Sequence, residues 1–366
     1  MDNKYNRLVL IGNGFDKSLG LKTSYAEFIL DYLKKSFKSD MEFKPKLNSL
    51  ISLNIQGEFN PQIKERYLLE IEHIMNPKNL LRHIESIGII SYKYDFFKDL
   101  MNLYVNARWV DIEQYYYETL KREFQIYKNP HKVKNLNRIQ ELNKCMDELT
   151  IALNIFIKEQ ETKITIEHIN SLSSLLNSIG GPLRPKIASL VKSHGRLSSP
   201  SEVLFLNFNY TNTVQQIITN SFVHGNNKHI FIHGTVKNEE NPIIFGYGDD
   251  TGEEYKELEI EGENEFLRKI KSFQYPRTHN YHNLRNYLYL CEFDVFVIGH
   301  SCGLSDRTLL KTIFEHSNCL AIQNFHYKGE SEDFEKRMEI SRHFGDKVLM
   351  RERVLPYDNF ASIPQY

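Results

Sequence analysis

The amino-acid sequence predicts an α/β fold in which a mostly parallel sheet carries a large helical insertion. Short apolar runs typical of buried strands stand near both ends of the 366-residue chain and alternate there with helical patterns. The stretch between them is interpreted as mostly helical. We therefore expect an α/β domain of residues 1–60 and 196–366, and a helical insertion of residues 61–195.

The first predicted strand covers residues 8–11 and runs directly into a glycine-rich turn, Gly12-Asn13-Gly14-Phe15-Asp16. A helix is expected behind the turn, beginning near Thr23 and Ser24, whose hydroxyls can cap it. Glycines let the backbone approach a bound group closely, and the amides of such a turn can face phosphate oxygens. The alternative is a sharp strand-to-helix turn that binds nothing.

The middle of the chain contains three helical stretches. Residues 95–128 carry aromatic and charged side chains at helical spacing, and Asn129-Pro130 ends that helix. Residues 134–161 place their apolar side chains on one stripe. A third helix covers residues 165–179 and ends at Gly180-Gly181-Pro182.

The C-terminal part returns to alternating strands and helices. Strands are expected at residues 203–208, 229–233, 243–245, 293–298, 320–322 and 348–354. Helices are expected at residues 211–219, 265–273 and 282–290, after Arg307, and at residues 333–344. This alternation predicts a Rossmann-like sheet covered on both faces, in which ligands bind beyond the carboxyl ends of the strands.

Composition predicts a soluble globular protein, with 41% hydrophobic and 25% charged residues and a formal net charge of −1. That charge offers no global basic field to nucleic acid, and no apolar run approaches the roughly 20 residues of a membrane span. The chain begins with a short polar stretch that leads straight into a core strand, so we expect no signal peptide. Reduced thiols, a cytoplasmic location and no structural zinc site are expected from the spacing of Cys145, Cys291, Cys302 and Cys319.

Polar side chains follow four of the predicted strands. They are Gly12-Asn13-Gly14-Phe15-Asp16, Asn207-Phe208-Asn209-Tyr210-Thr211, His233-Gly234, and Gly299-His300-Ser301 with Asp306 nearby. Each has a structural alternative, because Asn209, Thr211 or Asp306 can simply cap a helix and His233 can be a hydrogen-bonded core histidine. Four polar strand ends at one sheet edge nevertheless favour a functional site.

The whole chain resembles the bacterial AbiH family, which is associated with abortive infection against bacteriophage. The motifs that carry the resemblance occur in the order of the family and span positions 8 to 306: LVLIGNGFDKSLGLKTSY, ARWVDIE, FLNFNYTN, FIHGTV, IIFGYGDD and VIGHSCGLSD. The resemblance implies a role in phage defence.

More remotely, three short motifs are similar to the sirtuin-like NAD-binding fold. This second resemblance implies that Gly12, Asn13, Gly14, Phe15 and Asp16 hold pyrophosphate and ribose. It places Asn209 beside the nicotinamide ribose and His233 as the general base, with Gly234 next to it. It assigns Ser301 and Asp306 to the late segment that contacts the adenosine side, and Gly299 and His300 are expected among the cofactor-binding residues. The chain departs from the pattern at Asp16, where sirtuin-like enzymes have Ser, and at Lys22-Thr23-Ser24-Tyr25, where they have Pro-Asp-Phe-Arg. The extra carboxylate can repel phosphate or bind a ribose hydroxyl.

Deacylases of the sirtuin-like group carry a four-cysteine zinc module, which this chain lacks. The resemblance therefore implies hydrolysis of NAD, the substrate, to nicotinamide and ADP-ribose, with no metal expected. Such a cleavage passes through an oxocarbenium-like ribose, so Asn209 is expected to hold a water or ribose hydroxyl while His233 accepts a proton. Further ligand contacts are expected from Thr211, and from Tyr247 and Asp249 in a glycine-rich loop whose alternative is a plain turn.

Two further segments are considered as candidate sites, one around Trp109 and one around His279. Trp109 is either a buried anchor or part of a segment whose Asp111 and Glu113 reach over the site. His279 and His282 are spaced for a metal, although a solvated helix start is the favoured interpretation.

Three functions stay open. The first is an NAD-hydrolysing defence effector, expected to form a homo-oligomer and to respond to a phage-derived trigger or partner protein. The second is a nucleotide-sensing or interaction module without turnover. The third is a nuclease whose divalent metal is held by Asp16, Asp111, Glu113 and Asp249.

Overall fold

A computed structural model describes residues 5–42, 44, 50–55, 60–106, 111–191, 199–220, 226–236, 238–250 and 252–365. The chain divides into two compact units. The first contains residues 1–23, 157–256 and 270–366, and the second contains residues 24–156 and 257–269. The predicted domain boundaries, after residues 60 and 195, do not coincide with the ends of these two units, and they stay a prediction.

The strands of the described chain form two sheets. In chain order they are β1 (Asn6–Ile11), β2 (Ile51–Ile55), β3 (Gly88–Tyr92), β4 (Glu202–Asn207), β5 (Asn226–Phe231), β6 (Phe293–Ile298) and β7 (Cys319–Asn324). Five of them build an all-parallel sheet in the order β5-β4-β1-β6-β7, while β2 and β3 form an antiparallel pair. The predicted α/β class with a Rossmann-like parallel sheet is thus confirmed.

Helices surround the strands in both units. They are α1 (Asn13–Ser18), α2 (Tyr25–Met41), α3 (Pro61–His73), α4 (Pro77–Glu85), α5 (Asp95–Asn106), α6 (Ile112–Tyr127), α7 (Asn137–Glu161), α8 (Ile166–Ser171), α9 (Ser173–Gly180), α10 (Pro185–Ala188), α11 (Thr213–Asn220), α12 (Glu253–Ile260), α13 (Lys271–Gln274), α14 (Asn280–Leu290), α15 (Arg307–Phe314), α16 (Glu330–Ser341) and α17 (Lys347–Arg353). Three short 3-10 helices stand at Asn264–Phe266, Tyr275–Arg277 and Leu304–Asp306. Within the ranges given above, no helix is both long and apolar enough to cross a membrane.

Both faces of the parallel sheet are buried. Alternate residues of β1 belong to different cores: Val9 and Ile11 lie in one cluster, and Leu8 and Leu10 lie in the other. Successive side chains of a strand point to opposite faces, so a strand covered on both sides is apolar on both faces, as residues 8–11 are. This is why the strand was recognisable as an unbroken apolar run.

One buried ion pair lies between β1 and β6, where Arg7 and Asp294 are partners in the parallel register. Arg7 donates to Asp294 through Nε at 2.8 Å and Nη2 at 2.7 Å, and its Nη1 donates to the carbonyls of Ile179 and Gly181. Its guanidinium also lies 3.9 Å from the ring centroid of Phe296. Every face of this cation is therefore occupied by a favourable partner.

The second unit is mostly helical, as expected for the middle of the chain, and the antiparallel pair of β2 and β3 was missed. Helix α2 begins with a capping box, in which Ser24 accepts from Glu27 N–H and the Glu27 carboxylate accepts from the Ser24 amide at 3.0 Å. The pair escaped prediction because helices α3 and α4 separate its strands in the sequence. In addition, Ile89 is exposed and each strand is only five residues long, too short for a clear period.

Several predicted elements differ from the structure. Residues 348–354 were predicted as a strand, which is wrong, because Asp346 caps helix α17 by accepting from Val348 N–H at 2.7 Å. Residues 243–245 are extended but form no strand. The helix predicted at residues 265–273 is a 3-10 turn followed by α13, and the one at 165–179 is interrupted at Leu172.

Candidate functional site

The carboxyl ends of β1, β4, β5 and β6 meet at one edge of the sheet, as the sequence predicts. Phe208 N–H donates to Ile11 O at 2.9 Å, and Gly12 N–H donates to Ile298 O at 3.1 Å. The Asn209 side-chain nitrogen donates to Gly12 O at 3.0 Å. The structure thus brings the strand ends together, while the role of each residue at the edge stays a prediction.

The glycines of the first turn are packed against the turn after β6. Gly14 N–H donates to Gly299 O at 2.8 Å. A Cβ at Gly14 would lie 2.7 Å from Tyr327 Oη and 2.8 Å from Gly299 Cα, and Gly299 itself has φ = 69°. Close approach of two backbones therefore requires these glycines even without a ligand, and it already occupies the Gly14 amide.

Asp16 lies at the end of the same turn, almost completely buried with 1% of its surface exposed. Its Oδ2 accepts from the Thr211 hydroxyl at 2.6 Å. Burial raises the pKa of Asp16 to about 6; the side chains of Thr211, Thr213 and Asn209 oppose the rise, and nearby Glu161 adds to it. The Thr211 hydroxyl thus donates to Asp16, and its role as a ligand contact stays a prediction.

Three polar atoms near this turn are buried without a hydrogen-bond partner among the described residues: Asp16 Oδ1 and the hydroxyls of Thr213 and Tyr327. Buried polar atoms are nearly always paired with protein or with ordered water. An acceptor and a hydroxyl at the Gly12–Gly14 turn are suited to a ligand hydroxyl or to water. Phe15 is buried in the apolar core that contains Val9 and Ile11.

The second cluster centres on the buried carboxylate of Asp306. Lys271 Nζ lies 2.8 Å from Oδ1, and His233 Nε2 lies 3.3 Å from the same oxygen. His300 Nε2 lies 3.5 Å from Oδ2. The hydroxyl of Tyr275 is 3.4 Å from His233 Nε2. Asp306 is therefore placed beside His233, whereas the sirtuin-like resemblance assigned it to the adenosine side.

Electrostatics keep this cluster in one protonation state. Burial by itself raises the pKa of Asp306, but the ammonium of Lys271 and the hydrogen bonds of both imidazoles outweigh it and hold that pKa well below its usual range. Burial lowers the pKa of His233 to about 4, and the Lys271 charge adds to that shift while Asp306 opposes it. At neutral pH the site contains an ammonium, a carboxylate and neutral imidazoles.

A tight turn after β6 orients His300. Cys302 has φ = 56°, and its backbone N–H donates to His300 Nδ1 at 3.0 Å. Nδ1 is thus an acceptor, so Nε2 carries the hydrogen that points to Asp306. The ring of Phe208 packs against both imidazoles, with centroid distances of 5.2 Å to His233 and 4.1 Å to His300.

The loop of residues 246–250 is bound to the segment that carries Asp306. Thr308 N–H donates to Gly248 O at 3.0 Å, and Asp249 pairs with Arg307 at 3.0 Å. Tyr247 is buried, and its carbonyl accepts from Lys271 N–H at 2.9 Å. Tyr247 and Asp249 therefore support the second cluster, and their role as ligand contacts stays a prediction.

The other predicted residues are placed as follows. Gly234 has φ = 77° in a turn packed on Pro242, and Ser301 is exposed, with its Oγ accepting from Gly303 N–H at 3.3 Å. Asn13 Oδ1 accepts from the Thr23 hydroxyl. His279 and His282 are exposed.

The remaining candidates belong to the second unit. Asp111 caps α6 by accepting from Gln114 N–H at 3.0 Å, and Glu113 is buried. Trp109 lies outside the described residues. Within the described part of the chain, no group of three or more His, Cys, Asp or Glu residues could hold a metal ion.

Sequence reasoning missed Lys271 and Tyr275. Lys271 lies in the helix predicted at residues 265–273, and Tyr275 lies just after it. Nothing in the sequence pattern there indicates a buried cation. The one available signal is Tyr275-Pro276, since a proline at that position favours a break and a turn.

The geometry can now be set beside known proteins. A model of the family described as bacteriophage abortive infection AbiH matches residues 8–327. No match was found among curated proteins. The matched range includes most of β1, all four polar strand ends and both side-chain clusters. The chain therefore belongs to the AbiH family of bacteriophage abortive infection.

Proposed function

We propose that this abortive-infection protein hydrolyses NAD, or a related nucleotide, to nicotinamide and ADP-ribose. The observation that carries the proposal is the neutral imidazole of His233, held by the ion-paired Asp306 at the carboxyl edge of a Rossmann-like sheet. Such sheets bind nucleotides at this edge. Asn209 follows β4, which neighbours β5, so an amide and an imidazole follow adjacent strands of the sheet.

In the proposed reaction the bond between C1′ of the ribose and the nicotinamide nitrogen breaks, and its electron pair leaves with nicotinamide. A water oxygen bonds to C1′, and its proton passes to the nitrogen of His233 that faces away from Asp306. Asn209 donates through its amide nitrogen to Gly12 O, so its amide oxygen is the atom that would orient the water or a ribose hydroxyl. The negative field of Asp16 and Asp306 would favour the positive ribose of the transition state.

The residues of the first turn fit one part of the substrate. Asp16 Oδ1 and the Tyr327 hydroxyl are buried atoms that still lack a partner among the described residues, and a ribose diol would supply hydroxyls to both. Contacts of Gly12, Asn13, Gly14, Phe15 and Thr211 with the pyrophosphate follow from the resemblance and belong to the same proposal.

Access to the cluster requires a conformational opening. His233, Asp306 and His300 are each less than 8% exposed. An enzyme that destroys a central nucleotide must stay inactive until infection, and a closed site provides that restraint. We propose that a phage-derived partner, or assembly of several copies in the cytoplasm, opens it.

A sensing module without turnover is the second candidate. The observation that favours it is the low pKa of His233, about 4, because a base that weak contributes little at neutral pH. The metal-dependent nuclease has no comparable support among the described residues, since Asp249 pairs with Arg307 and Asp111 caps a helix.

The test is incubation of the purified chain with NAD, with and without EDTA, followed by chromatography for nicotinamide and ADP-ribose. Asn209→Ala and His233→Ala are compared with His282→Ala, an exposed histidine, as the matched control. We expect product from wild type and the control alone, unaffected by EDTA, when extract of phage-infected cells is added as a source of the trigger. Without that extract the closed site should give little product. Tight NAD binding without product would favour the sensor, and absence of both binding and product would contradict the NAD proposal.

A further inference from the structure

Lys271 is a completely buried cation, with 0% of its surface exposed. It begins α13, and its Nζ lies 2.8 Å from Asp306 Oδ1. A Cβ on Gly248 would lie 2.5 Å from Ser305 O and 3.4 Å from Lys271 Cδ, so only glycine fits between the two segments. The packing of three segments therefore holds this ammonium against Asp306. Burying a charge so fully is costly unless an anion pairs with it.

Asp306 in turn lies between two imidazoles. Its Oδ1 is 3.3 Å from His233 Nε2, and its Oδ2 is 3.5 Å from His300 Nε2. An ionised carboxylate can only accept hydrogen bonds, so each imidazole must turn an N–H toward it. For His300 the same tautomer follows independently, because Nδ1 already accepts from Cys302 N–H.

We propose that Lys271 is a positioning residue: by pairing with Asp306 it keeps a carboxylate between the imidazoles, and that carboxylate fixes His233 with the hydrogen on Nε2 and a lone pair on Nδ1. Only the use of Nδ1 as the base rests on the proposed function. The pairing and the tautomer rest on the distances within the cluster.

Lys271 and Asp306 act on His233 with opposite sign. The ammonium disfavours a second positive charge and lowers the pKa of His233, while the carboxylate favours it and raises that pKa. The other groups that face this imidazole are His300, which also lowers the pKa, and the hydroxyl of Tyr275. A residue that merely fills space would produce no such opposition, which gives the proposal a specific test.

The first measurement uses wild-type chain labelled with ¹⁵N in its histidine rings. His233→Gln identifies the resonances of His233. At pH 7 we expect a neutral ring with the hydrogen on Nε2. A hydrogen on Nδ1 would overturn the proposal without any variant at position 271.

The second measurement is the pH titration of the same ring in Lys271→Met and Asp306→Asn. Removal of the cation should raise the pKa of His233 by at least about one unit, and removal of the carboxylate should lower it further or remove its titration from the accessible range. Lys271→Arg keeps the charge and should shift the titration by less than half as much as the Met variant. Shifts of the same sign in both variants, or no shift, would overturn the proposal.

If Lys271→Met does not fold, the tautomer of His233 in the wild type and the titration of His233 in Asp306→Asn still test the proposal. The samples are also assayed for NAD binding and cleavage. Imidazole results as expected, without cleavage or binding of NAD, would support Lys271 as the positioning residue and contradict the proposed function. Cleavage without the expected imidazole results would contradict only the role of Lys271.

Discussion

Asp16 is a buried carboxylate without a cation beside it in the described part of the chain, and we predict that Asp16→Asn stabilises the protein at neutral pH. Asn keeps the size and an oxygen that can accept from the Thr211 hydroxyl, which now lies 2.6 Å from Asp16 Oδ2. It removes the buried charge and the repulsion from Glu161 that together raise the pKa. The expected gain comes from charge alone.

The magnitude follows from the pKa of about 6 in the folded chain, against 3.8 for an ordinary Asp. A carboxyl with a raised folded pKa binds protons more tightly in the folded state, so its ionisation costs stability as the pH rises through the interval between the two values. At pH 7 the cost is about 3 kcal/mol, and near pH 4 only about 0.5 kcal/mol remains. Asp16→Asn should recover these amounts.

Urea denaturation of wild type and variant at pH 7 and pH 4 measures the difference. The matched control is Asp294→Asn, another buried aspartate of the same unit, which should lose about 3–5 kcal/mol because Arg7 is left buried without its anion. A neutral or destabilising Asp16→Asn at pH 7, or an equal effect at both pH values, would refute the reasoning. The same variant should lose at least tenfold in NAD hydrolysis if Asp16 binds a ribose hydroxyl.

Three further predictions concern stability. Gly14→Ala should lower the free energy of unfolding by about 1–3 kcal/mol, because its Cβ would lie 2.8 Å from Gly299 Cα. The control Gly303→Ala, whose Cβ would have its nearest atom at 3.6 Å, should change that free energy by less than about 0.5 kcal/mol. Urea denaturation of both variants measures the difference. Arg7→Met should lower the denaturation midpoint by the equivalent of about 3–5 kcal/mol, since it leaves Asp294 unpaired, and a smaller loss than for an exposed arginine would contradict this. His233 has a lowered pKa of about 4, so the unfolded chain protonates first and stability falls as the pH drops from about 6.5 to about 4; His233→Gln should abolish about 3 kcal/mol of that fall in a pH series.

The sheet was predictable because the physics of its strands is local. A strand covered on both faces is apolar at nearly every position. Residues 8–11 and 295–298 meet this condition within a single window, while Asp294 is tolerated because it pairs with Arg7. The segment 348–354 satisfies part of it, but Asp346 caps a helix there, and the cap outweighs the preference of β-branched residues for strands.

The site was predictable only where chemistry coincides with a strand end. His233, Asn209 and His300 follow β5, β4 and β6, so the topology of a parallel sheet brings them to one edge. Lys271 is absent from that logic, since it reaches the edge from a short helix 40 residues after β5 whose position depends on packing against Gly248 and Ser305. Packing contacts between distant segments do not produce a periodic pattern in the sequence, so they cannot be predicted from it.

The Gly-x-Gly turn gives a different lesson. Sequence alone allows its glycines to serve either a ligand or a close backbone packing, and the Gly14–Gly299 contact accounts for them by packing. Packing therefore explains the glycines with or without a ligand, and a binding role for them, or for Asp16 beside them, stays a prediction.

The two clusters at the sheet edge stand in opposite electrostatic conditions. Asp306 is a buried anion paired with a cation, so its ionisation is favourable, whereas Asp16 is a buried anion that lacks one and is destabilised. A carboxylate that costs stability in the closed protein has a reason to be retained when a bound donor relieves the cost. A ligand hydroxyl that donates to Asp16 Oδ1 would offset part of the stability, about 3 kcal/mol, that the buried charge of Asp16 costs at pH 7. Ligand binding at the first turn would thereby stabilise the folded protein at the sheet edge on which His233 lies. Asp16 would then be the residue that links ligand binding to stability.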